Sequence, residues 1–348
     1  MMDTLTLRQP DDWHLHLRDG AALQSVLAHT ATQFARAIVM PNLKPPVTTT
    51  ALAAAYRARI LAARPAGNRF EPLMTLYLTD RMDPAEIAVA RASGFVHGCK
   101  LYPAGATTNS DAGVTDIRRI DGVLEAMAAT GMPLLVHGEV THSDVDVFDR
   151  EARFIDSVLE PLRVRLPSLR IVFEHVTTQA AVEFVRAQTH GVAATITPQH
   201  LALNRNALFS GGIRPHLYCL PVLKRERDRV ALLDAVAGGD LRFFLGTDSA
   251  PHARSTKEAA CGCAGIYSAH AALEFYAEVF EQAGALQRLE AFASEFGPKF
   301  YGLPLNTGSV TLLRTEWTVP ASYPFATETI VPLRAGESLR WRLAQPVT

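Results

Sequence analysis

Short apolar runs recur along the chain, separated by stretches in which apolar residues return every three or four positions. The runs Trp13–Leu17, Ala37–Met40, Leu73–Leu78, Val96–Leu101, Leu134–His137, Ile171–Glu174, Val192–Thr197 and Phe243–Gly246 read as strands. They are mostly apolar on both faces, the pattern of parallel strands covered by helices. The intervals carry helix punctuation. Asp83-Pro84-Ala85-Glu86 supplies a cap, a proline at the first helical position and an early acid, and Gly94 ends that helix. Ile117, Ile120, Val123, Leu124 and Met127 fall on one face of a second helix that stops at Gly131. Thr177 or Thr178 caps a third, with Val182 and Val185 facing inward, and Leu232, Leu233 and Val236 mark a fourth before Gly238-Gly239.

Eight such strand–helix units predict an α/β fold, a (β/α)8 TIM barrel whose functional groups gather where the strands end. An open doubly wound sheet is the alternative. It would usually carry a glycine-rich phosphate turn after its first strand, where this chain has His14-Leu15-His16. Beyond Asp248 come an irregular stretch over 249–265, helical patterns over about 269–282 and 286–296, and a proline-punctuated tail from Pro304 as a short C-terminal extension. The first candidate functional residue is His14, so no separate domain is expected ahead of the barrel. With no repeat, low-complexity tract or linker, residues 1–348 read as one domain.

Composition narrows the function classes. A net charge of −1 offers no basic footprint for nucleic acid, and no lysine-rich amphipathic segment suits a membrane surface. No apolar run approaches the roughly 20 residues of a membrane helix, and Met1–Arg8 lacks the apolar stretch of a secretion signal. Four cysteines (Cys99, Cys219, Cys261 and Cys263) are too few for a disulfide framework, so a reducing cytoplasmic setting is expected. Cys261-Gly262-Cys263 resembles half a thiolate metal site, but no second pair completes it.

The candidate chemistry lies at the strand ends. His14 and His16, Lys100, His137, His175 and Asp248 each close an apolar run. Period-two alternation puts His14 and His16 on one side of their strand, within reach of one metal. A bare His-x-His is as readily a hydrogen-bonded core pair; the joint placement of six such residues at one barrel mouth points instead to a two-metal hydrolytic site. Lys100, lodged within an apolar segment, would be an ordinary snorkelling lysine elsewhere. Beside divalent ions a desolvated lysine becomes a neutral nucleophilic amine, and carbon dioxide addition would turn it into an anionic carbamate bridging two metals. Asp248, alone a turn or helix cap, can ligate a metal and shuttle a proton in that company. Glu139 and Glu174 are expected to turn away from the mouth as packing or supporting groups, and His252, in a loop after Pro251, suits substrate contact.

The residues resemble a known family. Asp11-Asp12-Trp13-His14-Leu15-His16-Leu17-Arg18-Asp19-Gly20 is similar to the N-terminal signature of the dihydroorotases. Met40-Pro41-Asn42-Leu43, the run Lys100-Leu101-Tyr102-Pro103-Ala104-Gly105-Ala106-Thr107-Thr108-Asn109-Ser110, Pro198-Gln199-His200-Leu201, Gly211-Gly212-Ile213-Arg214-Pro215 and Gly246-Thr247-Asp248-Ser249-Ala250-Pro251-His252 continue the likeness. It is to the short bacterial-type homodimeric class and spans Leu5 to the tail.

The resemblance implies two Zn2+ per subunit and a homodimer. His14, His16, carboxylated Lys100 and Asp248 would hold one zinc, and Lys100, His137 and His175 the other, with a hydroxide between them. Arg18, Asn42 and His252 would bind the substrate carboxylate, Leu220 and Ala264 the ring, and Thr107 and Thr108 would ride on a closing loop. The implied reaction is reversible cyclisation of N-carbamoyl-L-aspartate to L-dihydroorotate in pyrimidine synthesis, with Asp248 as the catalytic acid–base. On the residues alone, Arg18 lies two past His16, on the same side, and offers a planar fork for a carboxylate. A hydantoin or dihydropyrimidine hydrolase is the alternative enzyme, though its substrates lack that carboxylate. A non-catalytic relative would have lost ligands, and all six candidates remain.

Overall fold

The computed structural model describes residues 3–344; Met1, Met2 and the last four residues of the chain lie outside that range. Its centre is an eight-stranded sheet in which every neighbouring pair is parallel and follows chain order. After an N-terminal strand β1 (Thr4–Arg8), the barrel strands are β2 (Asp11–Leu15), β3 (Arg36–Val39), β4 (Glu71–Tyr77), β5 (Val96–Leu101), β6 (Leu134–Val136), β7 (Ile171–Phe173), β8 (Val192–Ile196) and β9 (Phe243–Leu245). First and last strands are stitched just beyond their ends: His16 N–H donates to Ser249 O (3.1 Å) and Asp248 N–H to His14 O (2.9 Å). The predicted TIM barrel is the fold of this chain.

The strand most displaced from expectation is β2, which starts two residues early, because two acids lie inside it. Both are fully buried and satisfied. Asp11 accepts from Arg36 Nε (2.9 Å) and Asn306 Nδ2 (2.8 Å); Asp12 accepts from His14 N–H (3.1 Å), Thr247 N–H (2.9 Å) and Thr247 Oγ1 (2.6 Å). Helix punctuation acts as read. Gly94 (φ 72°) and Gly131 (φ 68°) sit left-handed after Ala85–Ala92 and Asp121–Thr130, and Thr178 caps Gln179–Ala187 through Ala181 N–H. The helix expected near 286–296 is instead a broken series of 3-10 and π turns leading into Phe296–Tyr301. Gly297 and Pro298 within that last segment remove a side chain and a backbone donor, so the regular pattern does not run through.

Phe296–Tyr301 plugs the barrel end opposite the functional mouth. Trp13 stacks on Tyr301 (centroids 4.4 Å apart, 9° between planes) and meets Phe244 edge-on, within an interior cluster that includes Ile38, Leu73, Leu135 and Val172. A larger core joins the outer strand faces to the surrounding helices. The tail folds back as strand β10 (Ser309–Leu313), antiparallel to β1 and to Arg342–Leu343. That small sheet was absent from the sequence reading.

Gly297 is the tightest point of the floor: a Cβ there would fall 1.9 Å from Trp13 Nε1. Gly297→Ala should therefore cost about 1–3 kcal/mol by over-packing, read as a lower midpoint in chemical denaturation; an unchanged midpoint would show that the floor is not close-packed.

Candidate metal centre

Strand alternation alone explains two of the site side chains. Cys99 and Leu101 of β5 pack outward, so Lys100 faces the barrel axis. In β6 Leu134 and Val136 face out and Leu135 in, and His137 takes the next inward place past the strand end. β2 needs an irregularity. Trp13 packs inside the barrel and Leu15 outside it, and the pairing with β3 shifts register between Asp12 and Leu15. His14 thereby joins Trp13 on the inner side, with His16 at the rim.

His175 and Asp248 are placed by backbone strain. Phe173 and Leu245 face outward, so residues 174 and 246 are next in line to face in. Gly246 leaves that room open, since a Cβ there would lie 2.7 Å from Thr195 Cβ. His175 (φ 42°) and Asp248 (φ 45°) then adopt left-handed backbone, which turns their side chains back toward the axis. Arg18 (φ 60°) and Asn109 (φ 60°) do likewise, so four of the six positive-φ non-glycine residues described are at this mouth. Conformations that cost of order 1–3 kcal/mol each persist only where the surroundings impose them.

The result is a tight, buried cluster. Asp248 Oδ1 lies 3.2 Å from both His14 Nε2 and His16 Nε2, which are 3.3 Å from each other. The His175 ring sits 4.9 Å, centroid to centroid, from those of His14 and His137. Two donor sets, His14–His16–Asp248 and His14–Glu174–His175, each keep their ligand atoms within 4.8 Å. Burial disfavours the Asp248 carboxylate, but the His14 imidazole and its hydrogen bonds outweigh it and hold the acid well below the usual range. For Lys100 burial dominates and lowers the ammonium pKa, against the opposing pull of Glu174 and Asp248.

Glu174 and Glu139 correct the sequence expectation. Both face the site. Glu174 pairs with Lys100 Nζ and sets Oε1 3.1 Å from His14 Nδ1; Glu139 Oε2 lies 2.8 Å from His137 Nε2. The period-two rule places residue 174 inward from Val172, and it is the turn at His175 that brings two consecutive side chains to one side. Lys100 is correspondingly behind the cavity wall, fully buried on Glu174 rather than lining the open space. Asp12 is the other residue that the apolar pattern does not reveal; the paired acids Asp11-Asp12 directly ahead of Trp13 are the available signal.

The donor set fits divalent metal ions. His175 Nδ1 and Glu139 Oε1 are buried without a hydrogen-bond partner. Buried polar atoms left so are costly, and imidazole nitrogen with carboxylate oxygen is the chemistry that Zn2+ takes up.

Next to these donors lies a small recess lined by Arg18, Asn42, Tyr102, Thr107, Thr108, Leu220, Ala264 and Gly265 together with the histidines and Asp248. Asn42 Oδ1 is 2.9 Å from His16 Nδ1. Arg18 donates through Nε to Pro251 O (3.0 Å), and its Nη2 lies 2.9 Å from His252 Nε2. Burial, then the charges of Arg18 and Lys257, push the His252 pKa down to about 2, so this imidazole is neutral. His252 itself sits behind Arg18, its Nε2 3.1 Å from Ala264 O, rather than on the cavity wall. The loop over the mouth is closed: Asn42 Nδ2 donates to Thr108 O (3.3 Å), Thr108 Oγ1 to Ala264 O (3.3 Å) and Asn109 Nδ2 to Asn42 O (3.2 Å).

A closed parallel barrel with imidazoles and carboxylates converging on its carboxyl-end mouth defines a class, and the chain belongs to the amidohydrolase family, whose model matches residues 12–312. These are metal-dependent hydrolases. Within that family it falls among the dihydroorotases. It is 69% identical to a dihydroorotase of Laribacter hongkongensis over 99% of this chain and 100% of that protein. Crystal structures of dihydroorotase from Campylobacter jejuni (37% identity, TM-score 0.91, 99% and 98% of the two chains) and of dihydroorotase in complex with 5-fluoroorotic acid from Saccharomyces cerevisiae (32%, 0.91, 100% of both) have the same fold. No helix among the described residues is long and apolar enough to cross a membrane.

If Glu174 orients His14 and Lys100 for metal, Glu174→Ala should weaken metal retention about 10–100-fold. Metal content after dialysis against a graded chelator series measures this, and retention equal to wild type would remove Glu174 from the site.

Proposed function

We propose that this site interconverts N-carbamoyl-L-aspartate and L-dihydroorotate using two Zn2+ ions per subunit. The observation that carries the reading is the adjacency of two polar groups: the His14–His16–Asp248 cluster, with 3.2 Å contacts, and the Arg18–Asn42–His252 group beside it. The first suits a metal-activated water, the second a carboxylate on the ring being opened. His14, His16, Asp248 and carboxylated Lys100 would hold one ion, and Lys100, His137 and His175 the other. When bound, the metals lower the pKa of water toward neutrality and polarise the carbonyl under attack.

The remaining steps belong to the chain. Arg18 grips the substrate carboxylate through its guanidinium fork, with Asn42 on the same wall and His252 bracing the fork from behind. Leu220 and Ala264 bound the ring. Asp248, kept ionised by its imidazole neighbours, takes the proton of the attacking water at a carboxylate oxygen and delivers it to the departing ring nitrogen. Thr107 and Thr108, on the closed loop, exclude bulk water while this happens. In ring closure Asp248 makes the reverse transfer. The whole chain acts as one amidohydrolase barrel domain, in a cytoplasmic homodimer; its four free cysteines suit a reducing compartment.

Asp248→Asn should keep the fold and most of the metal yet lose about 10²–10⁴-fold in turnover of dihydroorotate; near-normal turnover would refute its role. Intact-protein mass spectrometry under native conditions should find one added carbon dioxide on Lys100, and both metals bound without it would refute the carbamate. Dihydroorotate should be hydrolysed far better than dihydrouracil, which lacks the carboxylate, and the opposite preference would favour a dihydropyrimidine hydrolase.

A further inference from the structure

Lys257 is buried (4% exposed), yet no carboxylate pairs with it among the described residues. Its neighbour Glu258 points elsewhere, to Arg254 Nε (2.8 Å) and His216 Nε2 (3.0 Å). The three ammonium protons go instead to three backbone carbonyls: Tyr218 O (2.7 Å), Cys263 O (2.8 Å) and Gly265 O (2.8 Å). That is the full donor capacity of a lysine, spent on two loops far apart in sequence.

The geometry of those loops gives the arrangement its meaning. Carbonyls 263 and 265 turn toward Lys257, so the carbonyl between them, Ala264 O, turns the other way, to His252 Nε2 (3.1 Å) and Thr108 Oγ1 (3.3 Å) at the site. Gly265 N–H donates to Tyr218 O (3.0 Å), binding the two loops a second time. Gly265 itself (φ 149°) has no space for a side chain, since a Cβ would lie 2.7 Å from Ala250 Cβ and 2.9 Å from His252 Cδ2. Leu220 and Ala264, one on each stapled loop, both line the recess beside the metal ligands.

We propose that Lys257 is a positioning residue for the substrate, stapling the Tyr218–Pro221 loop to the Cys263–Gly265 loop and so fixing the wall formed by Leu220 and Ala264. The proposal rests on the reading that these two residues bound the substrate ring. A buried ammonium does this as no neutral side chain would, because it donates three bonds and accepts none. A neutral amine keeps two donors and aims a lone pair at the third carbonyl. Burial lowers the Lys257 pKa to about 8 against the opposing effect of the Cys219 and Cys263 thiols, one on each loop. The other groups facing it are the Tyr218 ring, 5.7 Å away, and His252, with Arg18 beyond it. The staple therefore loosens as pH rises through about 8, within reach of a kinetic profile.

The test uses metal-loaded enzyme and dihydroorotate. Lys257→Met should raise KM about tenfold or more, a loss of about 1.4 kcal/mol in binding, while kcat changes little and metal content is unchanged. In the wild type KM should climb above about pH 8, and in Lys257→Met it should lack that climb. Ala264→Val, which thickens the wall, should raise KM independently of the staple. Normal KM in Lys257→Met with raised KM in Ala264→Val would overturn the staple; normal KM in both would overturn the assignment of the ring wall beneath it. Should Lys257→Met fail to fold, the wild-type profile decides, and a KM flat through pH 8 and beyond overturns the proposal.

Discussion

The seam between the first and last barrel strands is the constraint on which the rest of the molecule depends. Asp12 reaches from β2 to both the N–H and hydroxyl of Thr247, and the backbone bonds of His16 to Ser249 and Asp248 to His14 complete the closure. His14, His16 and Asp248 all lie on that seam. Closing the barrel and bringing the His14–His16–Asp248 donors together are one event. A buried carboxylate at such a place is expensive on its own, and burial moves the Asp12 pKa up to about 7. Three donors offset part of that cost, and what the barrel gains is a fixed register exactly where a few tenths of an ångström matter most for ligand geometry.

The same economy governs the charges deeper in the mouth. Lys100, Glu174, His14 and Asp248 are all buried, and each is tolerable only because the others are present. Glu174 offsets the Lys100 ammonium, and the His14 imidazole faces both Glu174 and Asp248. Removing one partner strands the others, which makes the cluster a poor source of stability and a strong determinant of arrangement. The left-handed residues at 175 and 248 belong to this account too, since the strain they carry is what swings an imidazole and a carboxylate off the strand path and onto the axis.

Much of this was legible in the chain. Eight apolar runs, their helical spacers and the glycine stops at 94 and 131 point to the barrel, and the six polar residues at or just past the ends of five of those runs point to the mouth. Alternation is the right rule for Lys100, His137 and Glu174 and the wrong one for His175, because it holds only while the backbone stays extended; a local pattern carries no sign that residue 175 will turn left-handed. Asp12 escaped notice for a related reason: its partner Thr247 is a non-local one, and nothing near Asp12 in sequence announces it. The pairing of β1 with β10 and the broken helix near 286–296 were equally out of reach, both being settled by what the tail packs against.

That tail pairing has a consequence for how the chain reaches its native state. Thr4 through Arg8 lie in register with Leu313 through Ser309, Asn306 holds Gln9 and Asp11, and Gly297 slides under Trp13. The strand Thr4–Arg8 thus finds its partner only beyond the last barrel strand. During synthesis β2 can pair with β3 early, but Asp12 lacks Thr247 and Trp13 lacks Tyr301 until the chain beyond β9 has been made. Contacts of such long sequence separation slow folding and prolong the exposure of apolar surface. The arrangement that makes the mouth precise makes its assembly late, and places the burden of protecting the nascent chain on whatever meets it first.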